Sequence, residues 1–180
     1  MVLVTHDLDE AALLADRMAV LADGRILQTG ALKQVLQRPA SVRVAQLVGM
    51  RNLFTAEVQR HDEATGTTWL RWHGYLLGAP LVTQHSVGSQ VAWAIPSEQV
   101  LLPARAGLPD LAGDVGLEVE VVHSAAMRQS LQVTLRTVDS RPQEFVMHTA
   151  SANAARHGVV PGKRIRVRLR GSSIVVMRLD

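Results

Sequence analysis

The hydrophobic positions of this chain follow two different patterns, and the change falls near residue 52. In the first part, Leu8, Ala11, Ala12 and Ala15 recur at helical spacing, which is typical of an amphipathic helix. Beyond residue 52, short segments alternate apolar and polar residues between Gly, Pro, Asp and Ser, a pattern that predicts β-strands. We therefore expect a short helix-rich α/β part followed by a mainly β part.

The first residues predict a strand that leads into a capped helix. The apolar run Val2–Val4 is typical of a strand buried on both faces. Thr5 and His6 would lie at its carboxyl end, where ligands bind in open parallel sheets. Asp7 is placed to cap the next helix, and Glu10 to complete a capping box. The sequence thus presents His6 where it could contact a phosphate.

Further elements follow from turn and capping residues. Asp23-Gly24 between two apolar runs predicts a tight hairpin. A short helix is expected over 31–37, and a second one begins at Ser41 and ends before Gly49. Strands are predicted at 67–70, 90–95, 117–122, 131–138, 164–169 and 173–177. Many short strands separated by turns favour a small barrel.

An internal repeat organises the β part. At one constant offset, five residues of the first copy match five of the second: Gly88, Val91, Trp93, Ile95 and Val100 match Gly162, Ile165, Val167, Leu169 and Ile174. Each copy runs from a glycine through an alternating strand and a polar turn to an apolar strand. The repeat predicts two β-units, at about 52–105 and 114–180. The segment 101–113, rich in Gly and Pro, would connect them.

The first fifty-four residues carry a motif series that resembles one family. The series is Val4-Thr5-His6-Asp7, Asp9-Glu10-Ala11, Ala15-Asp16-Arg17, Gly24-Arg25-Ile26, Gly30, Val44-Ala45-Gln46-Leu47-Val48-Gly49 and Asn52-Leu53-Phe54. It is similar to the switch-histidine region of ABC importer ATPases that carry a C-terminal regulatory β-domain, called TOBE. The resemblance implies a remnant of the nucleotide-binding domain over 1–51 and an OB-fold-like TOBE domain over 52–180.

The resemblance also implies a role for His6. In the intact parent protein, this histidine would contact the γ-phosphate of ATP, with Mg²⁺ as the second cofactor. A second ATPase subunit and membrane permease subunits would be its partners, so the protein would be cytoplasmic and peripheral to the inner face of the membrane. The phosphate-binding motif G-x-x-x-x-G-K-[ST] does not occur in this sequence. We therefore interpret the chain as a C-terminal fragment that binds no cofactor and hydrolyses no ATP by itself.

The last thirty residues carry a second resemblance, to molybdate-binding Mop-type domains. It runs through 151–158, Val160-Pro161-Gly162 and Arg170-Gly171-Ser172-Ser173-Ile174, with Arg170 where that pattern has a lysine. The resemblance implies Ser151, Arg170, Ser172 and Ser173 as oxyanion ligands. A cation and serine hydroxyls suit a tetrahedral oxyanion. Gly171 replaces the alanine of that pattern, and its Ser-Ala-Arg-Asn opening does not occur. The alternative hypothesis is therefore a stand-alone module that binds molybdate, tungstate or sulfate, and a non-functional remnant is a third.

Composition narrows the remaining possibilities. A net charge of +3 and an aromatic content of 3% argue against nucleic-acid binding. The chain has no cysteine, and its histidines lack H-x-x-x-H spacing, so we expect no metal site. The arginines at 164, 166, 168 and 170 alternate with apolar residues. They fit either a solvated face that protects a sheet edge or an anion site.

Overall fold

The computed structural model describes residues 2–103 and 113–179. Its N-terminal part contains three short helices and one hairpin: α1 (Leu8–Leu14), β1 (Arg17–Ala22), β2 (Arg25–Ala31), α2 (Leu32–Gln37) and α3 (Val42–Leu47). Asp23 and Gly24 both have positive φ, as a tight hairpin turn requires. Ser41 Oγ accepts the Val44 N–H at 3.3 Å and caps α3. The predicted hairpin and helices are thus confirmed.

The predicted first strand is wrong. Residues 2–4 form no strand, and Val2 and Val4 are 92% and 93% exposed. A strand that is buried on both faces needs neighbouring strands, and none of the described strands lies beside this segment.

The β-rich part is confirmed, and it consists of two five-stranded antiparallel sheets. Their orders are β12-β6-β3-β4-β5 and β10-β9-β8-β11-β7. The strands are β3 (Asn52–Asp62), β4 (Thr67–Trp72), β5 (Tyr75–Pro80), β6 (Gln90–Ile95), β7 (Val100–Leu101), β8 (Val115–Met127), β9 (Ser130–Thr137), β10 (Glu144–Ala150), β11 (Arg164–Leu169) and β12 (Val175–Arg178). The described residues also form a helix, α4 (Ser151–His157), and two 3₁₀ turns, Ser97–Gln99 and Gly171–Ser173.

The two copies of the internal repeat make equivalent backbone hydrogen bonds. Gly88 N–H donates to the Val58 carbonyl at 2.7 Å, and Gly162 N–H donates to the Val121 carbonyl at 2.8 Å. Each accepting residue lies at a bulge in its strand, between Val58 and Arg60 in β3 and between Val121 and His123 in β8. In each copy a 3₁₀ turn then leads into the last strand, Ser97–Gln99 into β7 and Gly171–Ser173 into β12. The two turns are therefore equivalent positions of two similar β-units.

The two units exchange their last strands. β7 follows the first 3₁₀ turn but pairs with β11 of the second unit. β12 follows the second turn but pairs with β6 of the first unit. Each sheet thus combines four strands of one unit with one strand of the other, which ties the two units together. The division into domains at 51/52, and into halves near 105 and 114, stays a prediction, and most of the expected 101–113 connection lies outside the described residues.

The main core lies between the two sheets. Trp72 and Trp93 are fully buried, and their rings meet edge to face with centroids 5.1 Å apart. Trp93 is therefore a core residue. A small second cluster holds the N-terminal part together: Val20, Val35, Val44 and Val48. Ala45 of α3 packs with Ala92, Ala94 and Met177, which attaches this part to the outer face of β6 and β12.

No helix within the described ranges has the length and hydropathy needed to cross a membrane.

Candidate functional site

The segment that carries His6 is an exposed turn at the start of α1. Asp7 Oδ1 accepts the N–H groups of Asp9 at 2.8 Å and Glu10 at 3.1 Å, so the predicted N-cap is confirmed. The capping box is not formed as predicted, because the Asp7 N–H donates to Thr5 Oγ1 at 3.0 Å instead of to Glu10. His6 lies between these two residues and is exposed. The chain thus fixes the backbone on both sides of His6 and leaves its imidazole accessible.

The surroundings of His6 contain few groups that could bind a nucleotide. His6 is a single hydrogen-bonding group on an open turn, and the glycine-rich loop that cradles phosphates is not found in the sequence. That this chain binds no ATP by itself therefore stays a prediction. The role of His6 toward the γ-phosphate stays a prediction about the intact parent.

The residues predicted to hold an oxyanion are only partly brought together. Ser173 Oγ lies 3.3 Å from Gln99 Oε1, and the Arg170 N–H donates to the Gln99 carbonyl at 3.1 Å. Ser172 and Ser173 line a common cleft, whereas Ser151 begins α4 and its N–H donates to Gln129 in the turn between β8 and β9. The lining of the cleft as described contains neither Arg170 nor Ser151.

A buried carboxylate that sequence reasoning missed sits at the second 3₁₀ turn. Asp114 is 1% exposed at its side chain, and its Oδ1 accepts the Gly171 N–H at 2.9 Å. Its Oδ2 lies 3.5 Å from Arg168 Nε. Charge-assisted bonds of this kind are strong when they are shielded from water. The chain's own acid therefore occupies a backbone donor that an oxyanion at this turn would use.

The backbones of two neighbouring glycines, Gly78 and Gly113, leave no room for a side chain at position 171. A Cβ at Gly171 would collide with the carbonyl oxygens of Gly78 and Gly113. The Gly78 N–H also donates to the Gly113 carbonyl at 3.1 Å. Close approach of three backbones is possible only without side chains, so the second turn is packed against β5 and the start of β8.

The arginine face of β11 is neutralised by its neighbours. Arg164 lies opposite Glu120 of β8, and Glu120 lies opposite Arg136 of β9. Arg136 forms an ion pair with Glu144 of β10 at 2.7 Å. Opposite charges thus alternate across four strands, an arrangement that stabilises a sheet. This face fits the solvated-surface hypothesis better than an anion site.

The first 3₁₀ turn carries a hydrogen-bonded contact to β10. Glu98 Oε1 lies 3.1 Å from His148 Nδ1 and accepts the Ser97 hydroxyl at 3.0 Å. Partial burial raises the pKa of Glu98, but hydrogen bonds from its own backbone, His148 and Ser97 outweigh that effect, and the net pKa is lowered. The pair connects the turn of the first β-unit to a strand of the second.

A cleft of about 910 Å³ lies between the N-terminal part and the two 3₁₀ turns. One wall is formed by the end of α2 and the α3–β3 junction, and the other by the two turns, the start of β12 and the segment after β5. Nothing in the sequence pattern predicts it, because its walls come from five separate segments. In the portion of the chain that the structure describes, no three His, Asp or Glu side chains are grouped as a metal site would require.

The chain is similar in sequence to the ATP-binding proteins of importers. No protein-family profile matches the chain. A spermidine/putrescine import ATP-binding protein (PotA) of Pseudomonas fluorescens is 30% identical over 77% of the chain. The Fe(3+) ions import ATP-binding proteins FbpC of Streptomyces coelicolor and FbpC 1 of Rhodococcus jostii are 36% and 27% identical over 58% and 96% of the chain. The matched region spans only 38%, 28% and 44% of these three relatives.

A solved structure shows the same fold. The cytoplasmic molybdate-binding protein ModG has a TM-score of 0.62 and 18% identity to the chain. The likeness covers 73% of this chain and 98% of ModG. Together, the two comparisons confirm the resemblance to importer ATP-binding subunits and the OB-fold-like TOBE architecture.

Proposed function

We propose that this chain, a homologue of the ATP-binding subunits of ABC importers, is the C-terminal part of such a subunit. In the intact protein, ATP with Mg²⁺ would close two subunits and energise solute uptake through membrane permease subunits. The exposed His6, held between the Thr5 and Asp7 hydrogen bonds, carries the proposal. It would contact the γ-phosphate that the other part of the subunit binds.

The β-rich part would have a regulatory and dimerising role. Its two units are joined by the exchanged strands, so we expect them to move together. A displacement of α3 in one subunit would then move the whole β-rich part against that of the second subunit. Ala45 of α3 packs directly on the β-rich part. The same proposal places the subunit in the cytoplasm, peripheral to the inner face of the membrane.

A chimera tests the ATPase proposal. The chain is joined to the N-terminal part of the Pseudomonas fluorescens relative so that it replaces the matched region. We expect ATP hydrolysis by the chimera and none by the chain alone. His6→Ala should reduce hydrolysis at least a hundredfold, because a positioned charge-stabilising group contributes about that much to transfer. His123→Ala, an exposed histidine on β8, is the matched control and should leave the rate unchanged.

The chimera can contradict the proposal. Equal loss in both histidine variants, or full activity in His6→Ala, would remove His6 from the reaction. Hydrolysis by the isolated chain that depends on His6 would show that the fragment has its own nucleotide site.

A second candidate, oxyanion binding, has one observation in its favour. Arg170 Nε is buried without a hydrogen-bond partner among the described residues, and Ser172 and Ser173 are close in sequence. Molybdate, tungstate or sulfate at a hundred times the dissociation constant would stabilise the fold by about 2.7 kcal/mol. For a chain of this size, that raises the melting temperature by roughly 5–10 °C.

Melting curves with and without each ion show whether the second 3₁₀ turn binds an oxyanion. A shift that Arg170→Gln abolishes would support binding. No shift with any of the three ions at millimolar concentration would exclude it, and would fit a turn whose donor is already bound by Asp114.

A further inference from the structure

The cleft between the N-terminal part and the two 3₁₀ turns carries positive charge, and the proposed importer role gives that charge no function. Arg38 and Arg51 line the same cleft, and neither has a carboxylate within ion-pair distance among residues 2–103 and 113–179. The acid in the lining is Glu98, which His148 and Ser97 already engage. The cleft therefore favours an anion and disfavours polyamines and metal cations.

The neutral groups of the cleft come from equivalent positions of the two β-units. The first turn contributes Ser97 and Gln99, and the second contributes Ser172 and Ser173. Hydroxyl and amide groups both donate and accept hydrogen bonds, so they suit a ligand that carries several hydroxyl groups. Their arrangement on two turns of one repeat places such groups along one wall.

The lining also argues against a nucleotide. Among the described lining residues there is no aromatic side chain, so a base would find no ring to stack on. The volume of about 910 Å³ lies within the range of small-molecule sites and well exceeds that of a single inorganic anion.

We propose that this cleft binds a small, hydroxyl-rich organic phosphate, such as a phosphorylated sugar. Arg38 and Arg51 bind the phosphate, since guanidinium groups form paired bonds to phosphate oxygens. The serines of the two turns and Gln99 bind the hydroxyl groups. Because the two walls belong to the N-terminal and β-rich parts, the ligand joins them, which gives the cleft a regulatory position. The proposal does not depend on the importer role.

Calorimetric titration of the whole chain with glucose 6-phosphate tests the proposal. We expect saturable binding at least tenfold tighter than that of glucose or inorganic phosphate, because each of these carries only half of the recognised groups. Adenosine monophosphate should bind at least tenfold more weakly than glucose 6-phosphate. Absence of binding, or equally tight binding of inorganic phosphate or adenosine monophosphate, would overturn the proposal.

Variants assign the binding to the cleft. The double change Arg38→Gln with Arg51→Gln should weaken glucose 6-phosphate binding by more than tenfold. The matched control, Arg17→Gln with Arg25→Gln, removes the same charge from the β1–β2 hairpin and should change the affinity less than twofold. Equal weakening in both would indicate a long-range charge effect and refute the site.

A steric variant provides an independent test that removes no charge. Ser172→Trp places a large side chain on the opposite wall, at an exposed position, and should abolish binding. Circular dichroism melting of each variant confirms the fold. Unchanged binding in a folded Ser172→Trp protein would place the ligand elsewhere.

Discussion

At the scale of single residues, close backbone packing gives the second 3₁₀ turn its stability. Gly171→Ala should destabilise the protein by about 1–3 kcal/mol, because the new methyl group meets backbone oxygens that cannot rotate away. The melting temperature should fall by roughly 3–10 °C. Gly66→Ala is the control, since that glycine faces open space but has φ +63°. The free energy of unfolding of the Gly66→Ala variant should fall by only about 1 kcal/mol. A smaller effect at Gly171 than at Gly66 would contradict the packing.

Asn52 is a second residue whose role only the structure reveals. Its buried amide donates to the Val146 carbonyl at 2.8 Å and accepts the Val146 N–H at 2.7 Å. Asn52→Ala would leave two backbone groups unpaired, at about 1–3 kcal/mol each. Urea unfolding should show this loss. Asn153→Ala, which removes one long bond of 3.4 Å, should change stability by less than about 1 kcal/mol. Comparable losses would show that the Val146 bonds contribute little.

At the scale of elements, the alternating charges across β11, β8, β9 and β10 hold one sheet face. Glu120→Lys would place three cations side by side, since Arg164 and Arg136 are the partners of residue 120. We expect a loss of about 1 kcal/mol at low salt, reduced at 1 M salt by screening. The Glu120→Gln variant, which adds no third cation, should lose less stability than Glu120→Lys. Destabilisation by Glu120→Lys that salt does not change would rule out a charge effect.

The Glu98–His148 contact links a turn to a strand, and its pH dependence has a defined sign. The folded-state pKa of Glu98 is lowered, so the acid stabilises the fold above its unfolded pKa of about 4.5. This contribution is lost as the pH falls through the folded-state value. Glu98→Gln should therefore narrow the stability difference between pH 7 and pH 3 measured by chemical unfolding. Identical pH profiles for both proteins would show that the pair adds nothing.

Elements were predictable where the signal was local. Caps at Asp7 and Ser41, the Asp23-Gly24 turn and the alternation in β11 depend on neighbouring residues, and the structure agrees with them. β6 is a strand as predicted, but five of its six residues are buried, because both of its faces are covered. The strand at Val2–Val4 failed because a strand depends on partners, which an apolar run does not specify. β5 and β10 lacked clean periodicity, so their pairing with β4 and β9 decided them. The helix α4 was not predicted either, and it follows directly on β10.

At the scale of the whole molecule, the repeat predicted two related β-units but not their exchange of last strands. Pairing of β7 with β11 and of β12 with β6 is a long-range choice that no short pattern encodes. The candidate sites behave in the same way. His6 and the turn serines could be found from motifs, whereas Asp114 and the cleft arise only when distant segments meet.

The measurement that most directly tests the central claim is a structure of the chimera with a non-hydrolysable ATP analogue and Mg²⁺. We predict the His6 imidazole within hydrogen-bond distance, roughly 3 Å, of a γ-phosphate oxygen. A nucleotide bound in its site while His6 stays exposed to solvent, far from the phosphate, would contradict the claim that this chain supplies the phosphate-sensing histidine of an importer ATPase.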